Sequence, residues 1–378
     1  MSSNSQHVIV VGAGVIGCSI AYHLSLAGNK VTLIDRNRIA SGSSGVAAGM
    51  IASVSEGFSD DLGFKKDVGN LFDLADSSRS QLLGILDKLE NESGIDIEYR
   101  ESGIMHLAIT QSEVDELQNR LQWQCKLGMG VDWLDSQATL KTEPSLNNNI
   151  MGSLLSPNEG HVNSRRRVNA FAKAAIKNGT DLLENTDVTG LLSSNGRITG
   201  VKLQNRIIES DWVVFAAGSW AGRLSDWIGL DIPIKPIKGQ VLACRPVPCH
   251  VSHILWRGIN WMVPKADGSI IMGTTREDVG FDDLPNIGSI ASILNECIKL
   301  VPDIFEAKLH KVWAGLRPAT PDELPIIGPV EKCDGLVLAL GHYRSGMLLS
   351  TVSGKLVSDY ISSGVNEDLE ELNLSRFH

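Results

Sequence analysis

Apolar and polar positions in the first 35 residues predict three elements in close succession. Apolar runs at residues 7–11 and 30–34 predict two buried strands. Between them, residues 18–26 read as a helical run, and Gly28 marks its end. The chain therefore opens with a strand, a helix and a strand, which is the unit of parallel sheets.

The pattern continues in less regular form along the rest of the chain. Helical spacing of apolar residues predicts a helix over about 71–90, and Ser164 and Gly179 are typical N-cap and C′ residues of another. An Asn195-Gly196 turn predicts a hairpin. The remaining predicted strands are 104–109, 187–192, 198–204, 206–209, 211–218 and 336–340, and the remaining predicted helices are 111–127, 287–300 and 347–361.

A glycine-rich turn joins the first strand to the first helix. Gly12, Gly14 and Gly17 have GxGxxG spacing, and Asp35 follows the second strand. The first glycine permits a tight turn, the second lets the backbone approach a pyrophosphate, and the third lets the helix pack on the strand. The helix N-terminus can bind phosphates, and the acid can bind a ribose. The pattern predicts a dinucleotide site, with an accidental glycine turn as the alternative.

The end of the chain repeats this pattern, since the apolar run 336–340 is followed by GHYRSG and a helix. This second unit favours FAD over NAD, because typical NAD dehydrogenases complete the nucleotide domain near the N-terminus. We expect an α/β protein with a Rossmann-like FAD-binding domain of glutathione-reductase type and an α+β, mixed-sheet substrate-binding domain. The predicted FAD-binding domain is discontinuous and comprises residues 1–85, 151–222 and 315–378; the predicted substrate-binding domain comprises residues 86–150 and 223–314.

Composition and charge exclude several classes of function. A length of 378 residues fits two domains. The formal net charge of −10 argues against a nucleic-acid surface, and the basic run 165–167 is most simply a solvated face. No stretch approaches about 18 apolar residues, so we predict no transmembrane segment. Six scattered cysteines without metal-ligand spacing, and no signal-peptide pattern, predict no metal site and a cytoplasmic protein.

A segment of small residues, SGSSGVAAGM, occupies residues 41–50. Its lack of bulk suits backbone that lies against a flat or extended ligand. A flexible loop is the alternative interpretation.

Together these motifs resemble the D-amino-acid oxidase superfamily of FAD-dependent amine oxidoreductases, and most closely its glycine oxidases. The resemblance runs nearly from end to end. Amine dehydrogenases of the superfamily share the LRPxTPD element, but many have no arginine two residues after the Gly-His, so GHYRSG is the glycine-oxidase version. The motifs in this chain are VIVVGAGVIGCSIAYHL with Asp35, SGSSGVAAGM, EGHVNSRRRV, VVFAAGSWAG, PIKGQ, WAGLRPATPDELPIIG and GHYRSGMLL.

The resemblance implies a set of cofactor contacts. Val188 would reach the adenine side by its backbone. Gly218, the turn glycine that ends the predicted strand 211–218, is a further predicted cofactor-binding residue. Covalent relatives carry a cysteine near Arg317 or a histidine near Ser43, and neither is present, so we expect noncovalent FAD. The other implied contacts are Val15, Ile16, Asp35, Arg36, Ser43, Ser44, Ala48, Gly49 and Met50, with His342, Tyr343, Arg344, Ser345, Gly346, Met347 and Leu348 around the isoalloxazine.

Arg317 matches the arginine that binds the substrate carboxylate in the family, and Arg344 matches a second arginine that lines the site. A guanidinium gives a carboxylate two parallel charge-assisted hydrogen bonds, which a lysine cannot copy. A buried salt bridge or a surface position is the alternative for either arginine. We assign His342 to flavin packing or hydrogen bonding rather than to proton transfer.

Two positions depart from the glycine-oxidase pattern. Trp261 stands where a tyrosine covers the substrate, and it is larger and lacks a hydroxyl. Arg276 stands where a neutral side chain is usual and adds a cation near the pocket. Arg317, Arg344 and Trp261 are the predicted catalytic residues, and with Arg276 and Met50 they form the predicted substrate-binding set. The changes at 261 and 276 leave room for an amine with a second acidic group.

The resemblance implies oxidation of a small amino acid or amine, such as glycine, sarcosine or a small D-amino acid. A hydride would pass from the α-carbon to flavin N5, and dioxygen would reoxidise the flavin to give hydrogen peroxide and an imine that hydrolyses to the oxo acid. One alternative is a dehydrogenase that passes electrons to a quinone or a carrier protein. A remote alternative is an NAD-binding dehydrogenase or a non-catalytic nucleotide-binding module. The oligomeric state, including a homo-oligomer, stays open.

Overall fold

The computed structural model describes residues 5–56, 68–364 and 369–378. Strands and helices are numbered here in chain order. The first layer is a six-stranded sheet that is parallel except for its edge strand β18, which runs antiparallel to β19. In spatial order its strands are β18 (Ile326–Pro329), β19 (Leu336–Leu340), β12 (Trp212–Phe215), β1 (His7–Val11), β2 (Lys30–Ile34) and β8 (Asp181–Leu183).

Both faces of this sheet are covered, which explains why its strands are apolar throughout. Val8 and Val10 face a helical layer, and Ile9 and Val11 face the opposite side. The helical layer consists of α1 (Val15–Leu26), α3 (Val68–Ser93), α6 (Ser164–Lys177) and α9 (Gly346–Ser363). The opposite side is covered by α7 (Arg223–Ile228) and by a three-stranded sheet of β9 (Val188–Ser194), β10 (Arg197–Leu203) and β11 (Ile207–Glu209).

A second sheet has eight strands of mixed direction. Its strands β13 and β17 pair antiparallel, with Ile237 opposite Arg317. Helix α8 (Ile287–Leu300) packs on this sheet and buries Ile293 and Cys297. In spatial order the strands are β17 (Leu309–Ala319), β13 (Lys235–Cys244), β16 (Ile270–Gly273), β15 (Asn260–Pro264), β14 (Ile254–Arg257), β4 (Ile104–Ala108), β6 (Gly152–Ser156) and β5 (Asp132–Asp135).

The remaining elements are short or lie at the margins of the two sheets. Strands β3 (Met50–Ile51) and β7 (Gly160–His161) pair with each other. Helices α2 (Ser53–Glu56), α4 (Gln111–Lys126) and α5 (Ser136–Thr142) complete the set. None of the helices in the described ranges is long and apolar enough to cross a membrane.

The predicted α/β class, with a mixed second sheet, is confirmed. The division into two domains stays a proposal, and the sheets suggest two changes to its limits. Strand β6 follows residue 151, yet it pairs with β4 and β5 in the eight-stranded sheet. Strand β17 of the same sheet continues to Ala319, past the predicted limit at 314.

Two local predictions in the helix α6 were wrong. The N-cap is Asn163, whose side chain accepts the backbone N–H of Arg166, and not Ser164. The basic run is only partly solvated, because Arg167 is fully buried while Arg165 and Arg166 are exposed. Arg167 lies on the face of α6 that packs into the core, one turn before Phe171, and it donates to Met347 O at 2.5 Å and Thr351 Oγ1 at 2.9 Å.

Candidate active site

The glycine turn after β1 forms one end of a long cleft at the carboxyl ends of the parallel strands. Gly12 has a φ of 111°, and a Cβ there would overlap the backbone of residue 216. A Cβ on Gly17 would overlap the carbonyl of Gly12, so this glycine lets α1 approach the turn. Gly14 caps α1 without a side-chain bond, and the N-terminus of the helix opens into the cleft. This is the arrangement that binds a pyrophosphate.

Asp35 follows β2 and lines the same end of the cleft. Its Oδ2 accepts the N–H of Ala13 at 2.7 Å, and its Oδ1 accepts the N–H of Asn37 at 2.8 Å. Burial raises the pKa of this carboxyl from its usual value, although both backbone bonds oppose the shift. Each carboxylate oxygen has a second lone-pair direction, so Asp35 can also accept a ribose hydroxyl.

The small-residue segment forms the next part of the wall as ordered structure. Ser43–Gly45 is a short 3₁₀ turn, and Met50 begins β3. Ser44 Oγ accepts the N–H of Val15 at 3.0 Å, which joins this segment to the start of α1. Ser43 Oγ donates to the carbonyl of Leu316 and joins it to β17. These bonds disfavour the flexible-loop alternative.

The unit β19–α9 reaches the cleft from the other side of β12. His342 is 4% exposed, and its Nε2 lies 2.9 Å from Ser353 Oγ. Burial lowers the pKa of His342 to about 3, so the imidazole is neutral near pH 7. Tyr343 donates its N–H to Pro318 O at 3.0 Å, which brings the neighbouring Arg344 beside the end of β17.

Arg317 projects from β17 into the cleft between the two sheets. Its Nη1 donates to Thr275 O at 2.9 Å, and its Nη2 donates to Thr274 Oγ1 at 2.6 Å. The guanidinium lies directly against Gly239 of β13, where any Cβ would overlap it. The glycine of PIKGQ therefore makes room for the arginine, and the two threonines fix its orientation.

Two tryptophans form the wall of the eight-stranded sheet at this end. Trp261 on β15 and Trp256 on β14 are directly opposite each other, and they are 6% and 7% exposed. Trp256 stacks on His106 with 5.3 Å between ring centroids. Trp261 packs over Gly273, which has no space for a Cβ. This wall of the cleft is therefore formed by two nearly buried aromatic side chains.

Most of the predicted site residues line this one cleft. Three do not: Gly17 packs behind the turn, and Ser345 and Leu348 lie on the α9 side without reaching the cleft. Those that line it are Gly12, Gly14, Val15, Ile16, Asp35, Arg36, Ser43, Ser44, Ala48, Gly49, Met50, Val188, Gly218, Trp261, Arg276, Arg317, His342, Tyr343, Arg344, Gly346 and Met347.

Comparison with known families accounts for this cleft. Residues 7–360 match the family described as FAD dependent oxidoreductase, or DAO. The chain belongs to this family. It is an FAD-dependent oxidoreductase, and the NAD-binding and non-catalytic alternatives are set aside.

Individual relatives align with the oxidoreductase over nearly its whole length. Glycine oxidase of Geobacillus kaustophilus is 33% identical over 373 residues, which cover 98% of this chain and 96% of the relative. Hydrogen cyanide synthase subunit HcnC of Pseudomonas aeruginosa is 30% identical over 99% of this chain and 96% of its own. The crystal structure of glycine oxidase from Bacillus cereus superposes with a TM-score of 0.91 at 32% identity, covering 98% of this chain and 99% of that one.

The oxidoreductase's cleft has the features that FAD requires. Its walls near α1 are glycine, alanine and serine, so an extended ligand can lie on backbone, and a Cβ at Gly12 would fill the turn. The helices α1 and α9 both begin at the cleft without a side-chain cap, and Asp35 closes its far end. Helix N-termini favour the negative charge of phosphates and of a reduced flavin.

Sequence reasoning missed several residues of the oxidoreductase that shape the cleft. Thr274 orients Arg317, and Trp256 faces Trp261 across paired strands, yet neither belongs to a motif. Trp220 also lines the cleft, with the guanidinium carbon of Arg36 4.3 Å from its ring centroid. Trp220 lies within the motif VVFAAGSWAG, so the sequence could have indicated it as a site residue.

Proposed function

We propose that this chain catalyses FAD-dependent oxidative deamination of a small amino acid or amine, with glycine, sarcosine and small D-amino acids as the model substrates. The observation that carries the proposal is the position of Arg317. Its guanidinium is held by Thr274 and Thr275 in the same cleft as the glycine turn. This proposal also covers the individual roles assigned to the cleft residues.

Arg317 binds the substrate carboxylate in this mechanism. The planar fork of the guanidinium matches the two carboxylate oxygens, and its fixed orientation reduces the entropy lost on binding. Gly239 has no side chain, so the guanidinium can lie against β13 in the position where the two threonines hold it. Arg344, beside the end of β17, is a second cation on the same wall and adds to the attraction for the carboxylate.

No strong base is needed among the described residues that line this end of the cleft. The His342 imidazole is neutral and its Nε2 lies 2.9 Å from Ser353 Oγ, and an arginine side chain has no acceptor atom. We therefore propose that the substrate amine loses its proton to water before reaction. Its lone pair then assists loss of hydride from the α-carbon.

FAD supplies the acceptor for that hydride, and dioxygen is the proposed final acceptor, with hydrogen peroxide and an imine as products. Trp256 and Trp261 exclude water from the α-carbon during this step, which strengthens the charge pair with Arg317. Passage of electrons to a quinone or a carrier protein is the second candidate. A cytoplasmic location remains part of the proposal, and the oligomeric state stays open.

Anaerobic mixing of the holoenzyme with a panel of amines tests this proposal. Loss of flavin absorbance near 450 nm (a property of oxidised flavins, about that value) with glycine, sarcosine or a D-amino acid is the expected result. Bleaching by none of these, or only by compounds without a carboxylate, would contradict it. Readmission of oxygen then separates the acceptors, because an oxidase recovers its colour within one turnover time and releases peroxide.

A further inference from the structure

The small-residue segment 41–50 is called the cofactor loop below, and the cleft that it lines is called the cofactor cleft. The carbonyl oxygens of its residues 47, 48 and 49 each accept a hydrogen bond from a donor that does not line this cleft. Ala47 O accepts from Ser164 Oγ at 2.7 Å. Ala48 O accepts from Lys265 Nζ at 2.5 Å, and Gly49 O accepts from Val162 N at 2.9 Å. Ser164 and Lys265 line a separate groove on the outer side of the loop and do not line the cofactor cleft. The loop is therefore held along its outer edge by three donors.

Lys265 differs from the other two donors in charge and in origin. It lies between β15 and β16, so its ammonium connects the eight-stranded sheet to the cofactor loop. It also donates to Val162 O at 3.1 Å and lies 3.4 Å from His161 Nδ1. Burial lowers the pKa of Lys265 to about 7, and the charges of Glu98 and Asp267 oppose that shift only in part.

The peptide group between Ala48 and Gly49 lies between the Lys265 ammonium and the cofactor cleft. In a trans peptide the C=O and the N–H point in opposite directions, so an ammonium behind the carbonyl leaves the N–H of Gly49 on the cofactor side. Hydrogen bonds in series polarise one another, and a charged donor on the oxygen makes the N–H a stronger donor. Both residues line the cofactor cleft.

We propose that Lys265 is a positioning residue for FAD, which fixes and polarises the Ala48–Gly49 peptide. The proposal rests on the predicted contact of these two residues with the flavin, within the proposed function. It gives Lys265 two effects. The ordered loop binds FAD more tightly, and the nearby positive charge stabilises the additional negative charge of reduced flavin, which raises the reduction potential.

Lys265→Met tests the proposal, with Lys311→Met as a matched control. Lys311 lines the same outer groove, but its ammonium lies over the ring of Trp313, 5.3 Å from the centroid. Apoprotein titrated with FAD at pH 6, below the pKa of Lys265, gives the dissociation constant, and dye-coupled reduction at the same pH gives the midpoint potential. We expect Lys265→Met to bind FAD at least tenfold more weakly and to have a more negative potential. Lys311→Met should match the wild type, and Lys265→Arg should recover most of both losses.

Equal FAD affinity and potential in the two methionine variants would overturn the proposal. A loss in Lys265→Met that Lys265→Arg does not recover would also overturn it, since the effect would then be one of packing. If Lys265→Met does not fold, Lys265→Gln is compared with Lys311→Gln by the same measurements. Both readouts are independent of substrate, so they separate this proposal from the choice of substrate class.

Discussion

Arg317 Nη2 lies 2.6 Å from Thr274 Oγ1, and this bond joins the strand β17 to the segment after β16 over the intervening strand β13. Thr274 follows β16, and the next carbonyl, that of Thr275, accepts the other terminal nitrogen of the same guanidinium at 2.9 Å. The hydroxyl of Thr275 faces the other way and accepts the N–H of Gln240. The two threonines thus hold the arginine from one side and β13 from the other.

This relationship predicts a graded response to substitution. Arg317→Ala should raise KM by orders of magnitude, since loss of one partner of a buried charge pair costs about 2–5 kcal/mol. Arg317→Lys should also raise it strongly, because an ammonium cannot make the bidentate contact. Thr274→Val keeps the shape and removes one bond worth about 0.5–1.5 kcal/mol, so KM should rise roughly two- to tenfold. Steady-state kinetics at equal flavin content measure all three, and a normal KM in Arg317→Ala would move the carboxylate anchor elsewhere.

Noncovalent binding of FAD predicts that the colour is released on denaturation. The residues near Ser43 and Arg317, where covalent relatives carry histidine or cysteine, offer no attachment point. Precipitation of the holoenzyme with acid should leave the yellow colour in the supernatant and a colourless pellet. A yellow pellet that keeps its colour after washing would contradict the prediction.

Substitutions at two glycines of the turn should affect folding and cofactor binding separately. A Cβ on Gly17 overlaps the Gly12 carbonyl, so Gly17→Ala should lower the melting temperature of the apoprotein. Gly14 has an ordinary φ of −76°, and its nearest obstacle is Ser44 Oγ, 3.1 Å from a Cβ. Gly14→Val should therefore leave the apoprotein folded and abolish FAD binding. Circular dichroism and flavin titration check the pair; full FAD binding by Gly14→Val would place the pyrophosphate elsewhere.

Buried neutral histidines predict a loss of stability in acid. Burial lowers the pKa of His161 and of His342 to about 3, from 6.5 in the unfolded chain. Between these values the unfolded chain binds more protons, so stability falls as pH drops below about 6.5. Each histidine contributes up to about 1.4 kcal/mol per pH unit to that slope. We expect the free energy of unfolding, measured with urea at each pH from 7 to 4, to fall less steeply with pH in His342→Gln than in the wild type. The exposed control His310→Gln should show the same pH dependence as the wild type.

Four strands of the nucleotide-binding sheet, β1, β2, β12 and β19, were predictable because they are apolar runs close to a turn glycine. The two edge strands, β8 and β18, were not predicted, since they are short and β8 begins with an exposed aspartate. The last strand, Leu336–Leu340, and the helix Ile287–Leu300 have the predicted limits. Helix α6 shows where local reading failed. Arg167 is a charged residue type, and only the tertiary position of α9 reveals that its guanidinium has carbonyl and hydroxyl acceptors inside the core.

The contacts that orient the site residues were harder to predict from the sequence than the site residues themselves. Arg317 was predicted from its motif, but its partners lie 42 and 43 positions earlier in the chain. The bond of Lys265 to the cofactor loop spans 217 positions. Neither pairing leaves a periodic signal in the sequence, since both depend on how the strands of the second sheet are ordered. Such contacts require the tertiary structure.

The tryptophan wall and Arg276 should together set the substrate range. Trp261 is nearly buried against Gly273, so Trp261→Tyr enlarges the pocket without moving the strand. It should shift relative kcat/KM toward glycine and sarcosine by roughly the 1–3 kcal/mol typical of a methylene-sized contact. Arg276→Met should weaken any preference for D-aspartate or aminophosphonates, because a cation in the cleft favours a second anionic group. Unchanged ratios across glycine, sarcosine, D-alanine, D-proline and D-aspartate in both variants would show that neither side chain contacts the substrate.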